Sequence, residues 1–269
     1  MKRAVFTAAM IAVAASNVGA QEVMPSFAGI VTSATQAPGV WYTDRYAPSS
    51  FGTVGSFQGR SNVLQIGIAN ADGLTSRPGP FQSQFYNTQG RKFDIGASGP
   101  FTLSADLWVD ESWRSTANGL RRTDMWGTAF DNANQVSAYP ITGFTNASGV
   151  GVFRGYDVNS AQFINFNAPV LYGAWNSFQV AFDGSSFSYL VNGVFQASVG
   201  AGSTAGIGNV IMQAYNFEAS FAGFNAQTNN YDARWSNATT TVPEPSTYAL
   251  MAAGLAGLFA VQRRRRQSV

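Results

Sequence analysis

Between Trp175 and Val199 the chain reads WNSFQVAFDGSSFSYLVNGVFQASV, and no other stretch constrains its fold as tightly. Phe178, Val180 and Phe182 alternate with Gln179 and Ala181, and Phe187, Tyr189 and Val191 then alternate again. A period of two places every second side chain on one face of a strand. Asp183-Gly184 opens a turn that Ser185 and Ser186 lengthen. Asn192-Gly193 is the pair that best accepts positive φ at both central positions of a two-residue hairpin. Residues 194–199 then return. The spacing predicts three consecutive antiparallel strands.

The same period governs FTLSADLWV. Phe101, Leu103, Ala105, Leu107 and Val109 fall on one face, and Thr102, Ser104, Asp106 and Trp108 on the other. Asp110 continues that polar face in phase. Before the C-terminal tail no long stretch has helical periodicity. Aromatic and β-branched residues broken by Gly and Asn point to short strands throughout. Residues 201–209, AGSTAGIGN, read as a loop, and SNATTTVPEPST as an extended linker.

Composition narrows the chemistry. The chain has no histidine and no cysteine. That excludes Ser-His-Asp and Cys-His catalysis and histidine-ligated zinc, and no disulfide staples the fold. The pI near 9 reflects the two ends. Six of the sixteen basic residues are Lys2, Arg3 and Arg263 to Arg266. Between the ends, ten basic residues face thirteen acids with Glu244 set aside, a net charge of about −3. Such a domain lacks the basic footprint of a nucleic-acid binder. Its polar surface is Asn, Gln, Ser, Thr and Gly, suited to hydrogen bonding neutral ligands. Some 220 residues remain between the ends, enough for one domain with its own core.

The run from Trp175 through Asp183-Gly184 and Tyr189 to Asn192-Gly193 resembles the laminin-G-like, concanavalin-like jelly roll. FTLSADLWV resembles an earlier strand of that family, and NNYDARWSN (229–237) its closing strand. The resemblance covers residues 93–237. Residues 23–91 depart from the pattern and supply opening strands and a long loop containing ANADGLTSRPGPFQSQ. It implies an all-β, antiparallel two-sheet jelly-roll sandwich, spanning residues 21–237.

Jelly rolls host glycoside hydrolases, whose two carboxyl groups stand about 5–9.5 Å apart. No Asp/Glu pair in this chain stands at i, i+2, where strand neighbours lie about 6.8 Å apart. Asp106 and Asp110 are about 13.6 Å apart by the same rise. The Glu-x-Asp-x-x-Glu pattern of jelly-roll glucanases is absent. Sugar binding by ring stacking and hydrogen bonds fits better. The candidates are Asp106, Trp108 and Asp110 on one strand face, and Trp126 with Arg121, Arg122 and Asp124 beside it. Trp113 is a third candidate for stacking, while Trp41, Tyr42 and Tyr46 around Arg45 read as core. No metal ligand set is evident. The family resemblance brings calcium into view through Asp157 and Asn159, or Asp131, Asn132 and Asn134, although turn formation explains both groups.

The ends read as addresses. MKRAVFTAAMIAVAASNVGA has a basic start, an apolar run from Ala4 to Ala15 and small residues before Ala20, which predicts a signal peptide over 1–20 cleaved after Ala20. At the other end Tyr248–Val261 is apolar for about 21 Å, short of a bilayer core of about 30 Å. The arginines that follow should stay cytoplasmic. Val242, Pro243, Glu244 and Pro245, then this apolar segment, then Arg263, Arg264, Arg265 and Arg266, closely resemble the PEP-CTERM sorting signal. The resemblance implies a Gram-negative host, export through the inner membrane, transient anchoring there, and processing by an exosortase before release to the cell surface or beyond. Residues 238–247 are then a linker carrying the motif, and 248–269 a single membrane helix with its arginine cluster. The whole describes a non-enzymatic, exported surface or matrix protein whose sandwich binds extracellular polysaccharide without a cofactor. A structural matrix protein with no ligand, and a jelly-roll hydrolase or lyase, are the alternatives.

Overall fold

The computed structural model describes residues 21–22, 26–217, 230–242 and Gly254. The expected signal segment 1–20, the Pro-Glu-Pro motif, the C-terminal helix and the four arginines lie outside the described residues. Among those described, no helix is long and apolar enough to cross a membrane.

The described chain is built of short strands: β1 (Gln21–Glu22), β2 (Thr32–Ser33), β3 (Trp41–Thr43), β4 (Ser50–Phe57), β5 (Arg60–Ile68), β6 (Thr88–Ser98), β7 (Phe101–Val109), β8 (Arg122–Phe130), β9 (Val136–Ala138), β10 (Ile141–Thr145), β11 (Val152–Asp157), β12 (Gln162–Asn165), β13 (Ala174–Phe182), β14 (Ser186–Val191), β15 (Val194–Gly200), β16 (Gly206–Tyr215) and β17 (Tyr231–Val242). The loop expected before β6 winds through four 3₁₀ turns between Asn70 and Asn87. One sheet runs β15–β14–β13–β7–β17–β5–β4 and the other β12–β11–β10–β8–β16–β6–β3–β2. Along these two paths pairing is antiparallel apart from β2 with β3, and an isolated bridge between Tyr46 and Gln89 is also parallel. This is the all-β jelly-roll sandwich that the alternation and the resemblance imply.

The alternation carries over to packing. Along β7 Phe101, Leu103, Ala105, Leu107 and Val109 are buried, and the residues between them are not. They face Met125, Phe144, Phe153 and Met212 of the second sheet in one apolar core. Each large side chain so buried stabilises the fold by about 1.5–3 kcal/mol. Phe153 meets Phe178 edge-to-face across the sandwich at 5.0 Å, and the Trp235 indole donates to Thr123 Oγ1 at 2.9 Å. Trp41 is core, as expected, and Trp113, a stacking candidate in the sequence, is core as well. The meander forms as the sequence predicts, with Asn192 at φ 49° and Gly193 at φ 75°.

Two expectations are corrected. Residues 206–209 are strand: β16 starts at Gly206 and lies between β8 and β6. A Cβ on Gly206 would stand 2.3 Å from the Ala97 carbonyl oxygen, so this glycine admits a close strand neighbour. Residues 238–242, expected in the linker, finish β17. Ala238, Thr240 and Val242 are buried and Thr239 to Thr241 pair with β7. Successive threonines are β-branched and suit a pleated strand, which their polar character disguised.

Candidate functional site

The sandwich offers two outer faces, and the sequence candidates divide between them. On the first sheet Trp108 stands opposite Trp175 and Arg234, and Asp106 opposite Ser177 and Ser236. Trp108 packs against Trp175 at 5.7 Å and edge-on to Phe57 at 5.6 Å. Arg60 lies 4.4 Å over Trp175, and Arg234 4.5 Å over Phe57. Asp106 pairs with Arg60 and accepts from Asn237 Nδ2 at 2.8 Å. Asp110 has left the strand. It caps a 3₁₀ turn, accepting from the Ser112 amide at 2.9 Å and hydroxyl at 2.6 Å. Burial pushes its carboxyl up, but the Ser112 bonds and the Trp108 indole bring it below the ordinary carboxylate range. The three candidates thus do not converge on one ligand position. A polar cleft of about 280 Å³ lies beside Asp106, between Ser104, Ser177, Gln179 and Asn237.

Trp126 belongs to the other sheet. It stands between Ile141 and Ile211, with which it forms a small apolar cluster outside the main core. Only 8 % of the residue is exposed. Arg45 lies 4.6 Å over its ring and Tyr139 meets it edge-on at 5.6 Å, so the ring supports a guanidinium and is not an open stacking platform. Arg45 is thereby drawn out of the aromatic core group in which the sequence places it.

One register step away runs a polar row across five strands: Arg154 on β11, Gly143 on β10, Asp124 on β8, Gln213 on β16 and Gly90 on β6. At the usual strand spacing it extends about 19 Å. Asp124 is fully buried. It accepts from Arg122 Nε at 2.8 Å, from Arg154 Nη2 at 3.4 Å and from Gln213 Nε2. The two glycines make this possible. A Cβ on Gly143 would stand 2.7 Å from Asp124 Oδ1, and one on Gly90 2.6 Å from Gln213 Cβ. Without those atoms the carboxylate and the amide lie along the sheet as a polar floor, all five positions of which are buried.

Cations rise from this floor on aromatic supports. Arg154 lies 3.8 Å from the centre of the Phe163 ring, and Arg122 lies over Phe163 and Tyr215 at 5.3 and 5.0 Å. Burial pushes the Arg154 guanidinium down to about 10; Asp124 opposes the shift and Arg122 adds to it. Arg45 is lowered by burial, raised by Asp44 and Tyr139, and lowered again by Arg122. Arg121, also near Trp126 in sequence, is drawn away, donating to the backbone oxygens of Leu120 and Asn118. Arg154 and Gln213 were not foreseen, being 30 and 89 residues from Asp124 in sequence. Isolated glycines inside strands are the signal that marks their row.

The loops considered for calcium are turns. Asp157 accepts from the Asn159 amide and Ser160 hydroxyl, and Asp131 from the amides of Ala133 and Gln135. Among the described residues no three acidic, His or Cys side chains gather to hold a metal.

Residues 241–266 match the PEP-CTERM protein-sorting motif. No curated protein matches the chain. Among solved structures it is similar to an endo-β-1,4-glucuronan lyase from the fungus Trichoderma reesei (11 % identity, 76 % of this chain and 92 % of the other, TM-score 0.47). It is also similar to the carbohydrate-binding module CBM66 from Bacillus subtilis (11 %, 79 % and 99 %, 0.39). A sialidase is matched at 11 % over 76 % of this chain, with a TM-score of 0.44; the chain spans only 17 % of that protein's length. At such scores the likeness says nothing of chemistry.

Proposed function

We propose that this is an exported protein, sorted through its C-terminal motif by an exosortase-type membrane enzyme, whose sandwich binds extracellular polysaccharide without catalysis. The match over residues 241–266 supports the sorting. The export route is through the inner membrane of a Gram-negative cell, with the surface or the surrounding matrix as destination. The observation that carries the binding is the row from Arg154 to Gly90. The row itself is buried, and the partly exposed Arg45, Arg122, Phe163 and Tyr215 at its margin offer the rings and donors that suit a chain of linked sugars. Asp124, the carboxylate of that row, is buried and held by two guanidiniums and an amide, so its oxygens are already engaged within the protein. No histidine is present to act as a general acid in its place.

The test is a glycan array probed with the full chain in detergent. Retention of one polysaccharide class, with the glycan recovered intact and binding unchanged by a chelator, is the expected result. Retention of nothing assigns a structural matrix role. Shortening of a retained glycan, abolished by one carboxylate substitution, assigns a hydrolase or lyase. For the sorting, Glu244→Ala in the native host is expected to block processing; unchanged processing would reduce the tail to an anchor.

A further inference from the structure

We propose that the ligand of the second-sheet face is an anionic polysaccharide, its carboxylate or sulfate groups held by Arg45, Arg122 and Arg154. This rests on the carbohydrate-binding reading and names the class of sugar. It departs from the neutral ligand that the overall composition suggests.

Charge stoichiometry is the first ground. The domain is mildly acidic, yet Arg45, Lys92, Arg122 and Arg154 gather on or beside one face. The acids near them are already engaged. Among the described residues the two guanidiniums have Asp124 as their shared carboxylate, which leaves a surplus positive charge at the middle of the row. Asp44 serves Lys92 at 2.7 Å and Arg45 at 3.7 Å. Asp94, farther along β6, accepts from Gln36 and the Tyr42 hydroxyl. A neutral sugar would leave the surplus uncompensated.

The unsatisfied atoms are the second ground. Among the described residues the row acceptor Gln213 Oε1 is buried with no hydrogen-bond partner, and so are Arg154 Nε and Trp126 Nε1. The two nitrogens are obligate donors, and a buried donor left unpaired costs about 1–3 kcal/mol. Anionic oxygens are the acceptors that best satisfy them. The third ground is that a buried ion cluster adds little to stability compared with apolar packing. Placing a carboxylate and two guanidiniums on the outside of a sheet therefore calls for a use beyond folding. Stacking on Phe163, Tyr215 and Trp126 holds the three cations in place before any ligand arrives, so little ordering cost remains at binding.

The test measures binding of the full chain in detergent to four immobilised probes: polygalacturonate, its carboxyl-reduced form, dextran sulfate and neutral dextran. Polygalacturonate or dextran sulfate should be retained at least about tenfold more tightly than its neutral counterpart, and which of the two binds tells carboxylate from sulfate. Arg122→Gln and Arg154→Gln should each weaken that binding about tenfold. Arg114→Gln, on an exposed 3₁₀ turn and paired with Glu111, should not. Should Arg154→Gln unfold the chain, Arg45→Gln, whose guanidinium rests on the outside of Trp126, carries the same test. Equal retention of charged and neutral probes, or unchanged binding in all three row variants, overturns the anionic assignment and leaves the carbohydrate reading intact. Retention of no probe here, with no glycan retained on the array, overturns both.

Discussion

The two outer faces of the sandwich have similar ingredients and use them differently. On the first sheet Trp108, Trp175, Phe57, Arg60 and Arg234 close on one another, and the carboxylate of Asp106 is spent on Arg60 and Asn237. On the second sheet two arginines share one buried carboxylate, a third lies over Trp126, and among the described residues Arg154 Nε, Trp126 Nε1 and Gln213 Oε1 are left without hydrogen-bond partners. A tryptophan among polar residues on a strand is therefore a poor guide to a binding face. The balance of donors and acceptors around it is a better one.

The sharpest way to break this contrast is to remove the carboxylate from each face. Asp124→Ala strands the buried Arg154 guanidinium and the partly exposed Arg122 and should cost about 3–5 kcal/mol in urea denaturation. Asp106→Ala frees a partly exposed pair, Arg60 at 26 % and Asp106 at 14 %, and should cost less, about 1 kcal/mol. Equal losses would erase the distinction. The glycines make a second comparison. Gly143→Ala puts a Cβ 2.2 Å from the Thr123 carbonyl oxygen and should destabilise by about 1–3 kcal/mol. Gly52→Ala on β4 meets nothing within 4 Å and should be neutral or stabilise by about 0.5 kcal/mol.

Trp108→Ala should cost about 1–2 kcal/mol through its lost ring contacts while glycan retention stays unchanged; loss of binding would move the site to the first sheet. A smaller effect is set by pH. Burial holds the Arg154 guanidinium down, to about 10, against the pull of Asp124. Affinity for an anionic probe should therefore stay level through neutral pH and decline only in the alkaline range. Smallest is the turn between β13 and β14. Hydrogen bonds from the Ser186 and Ser185 amides hold the Asp183 carboxyl near 2, below its ordinary 3.8. A depressed value stabilises above the unfolded value and loses that contribution as pH falls through the folded one. The melting difference between wild type and Asp183→Ala should accordingly shrink between pH 4 and 2.

The meander β13–β15 and strand β7 were legible because each states its own period and turn chemistry within a few residues. β16 was not. Gly206, Gly208 and Asn209 read as breakers, yet Gly206 is small because β6 passes close, a fact held by residues more than a hundred positions away. The end of β17 was obscured in the same manner, since Thr239 to Thr241 acquire meaning only beside β7. For the site, the sequence brought Trp126, Arg122 and Asp124 together because they share one strand. Arg154 and Gln213 come from other strands, and only the register of the folded sheet joins them. Asp110 was placed in phase with Asp106, but its carboxylate found the Ser112 amide and ended the strand instead.

The position of β17 also sets an order of events in synthesis. It lies between β7 and β5 and is the last described strand of the domain. Until residues 231–242 have been made, the β4–β5 hairpin lacks its neighbour in the sheet, and Trp235 is missing from the core beside Phe178. Closing that gap joins segments more than a hundred residues apart, a slow step in chain folding. The nascent chain therefore stays incomplete, with the edges of β7 and β5 unpaired, until the sorting motif itself is about to emerge.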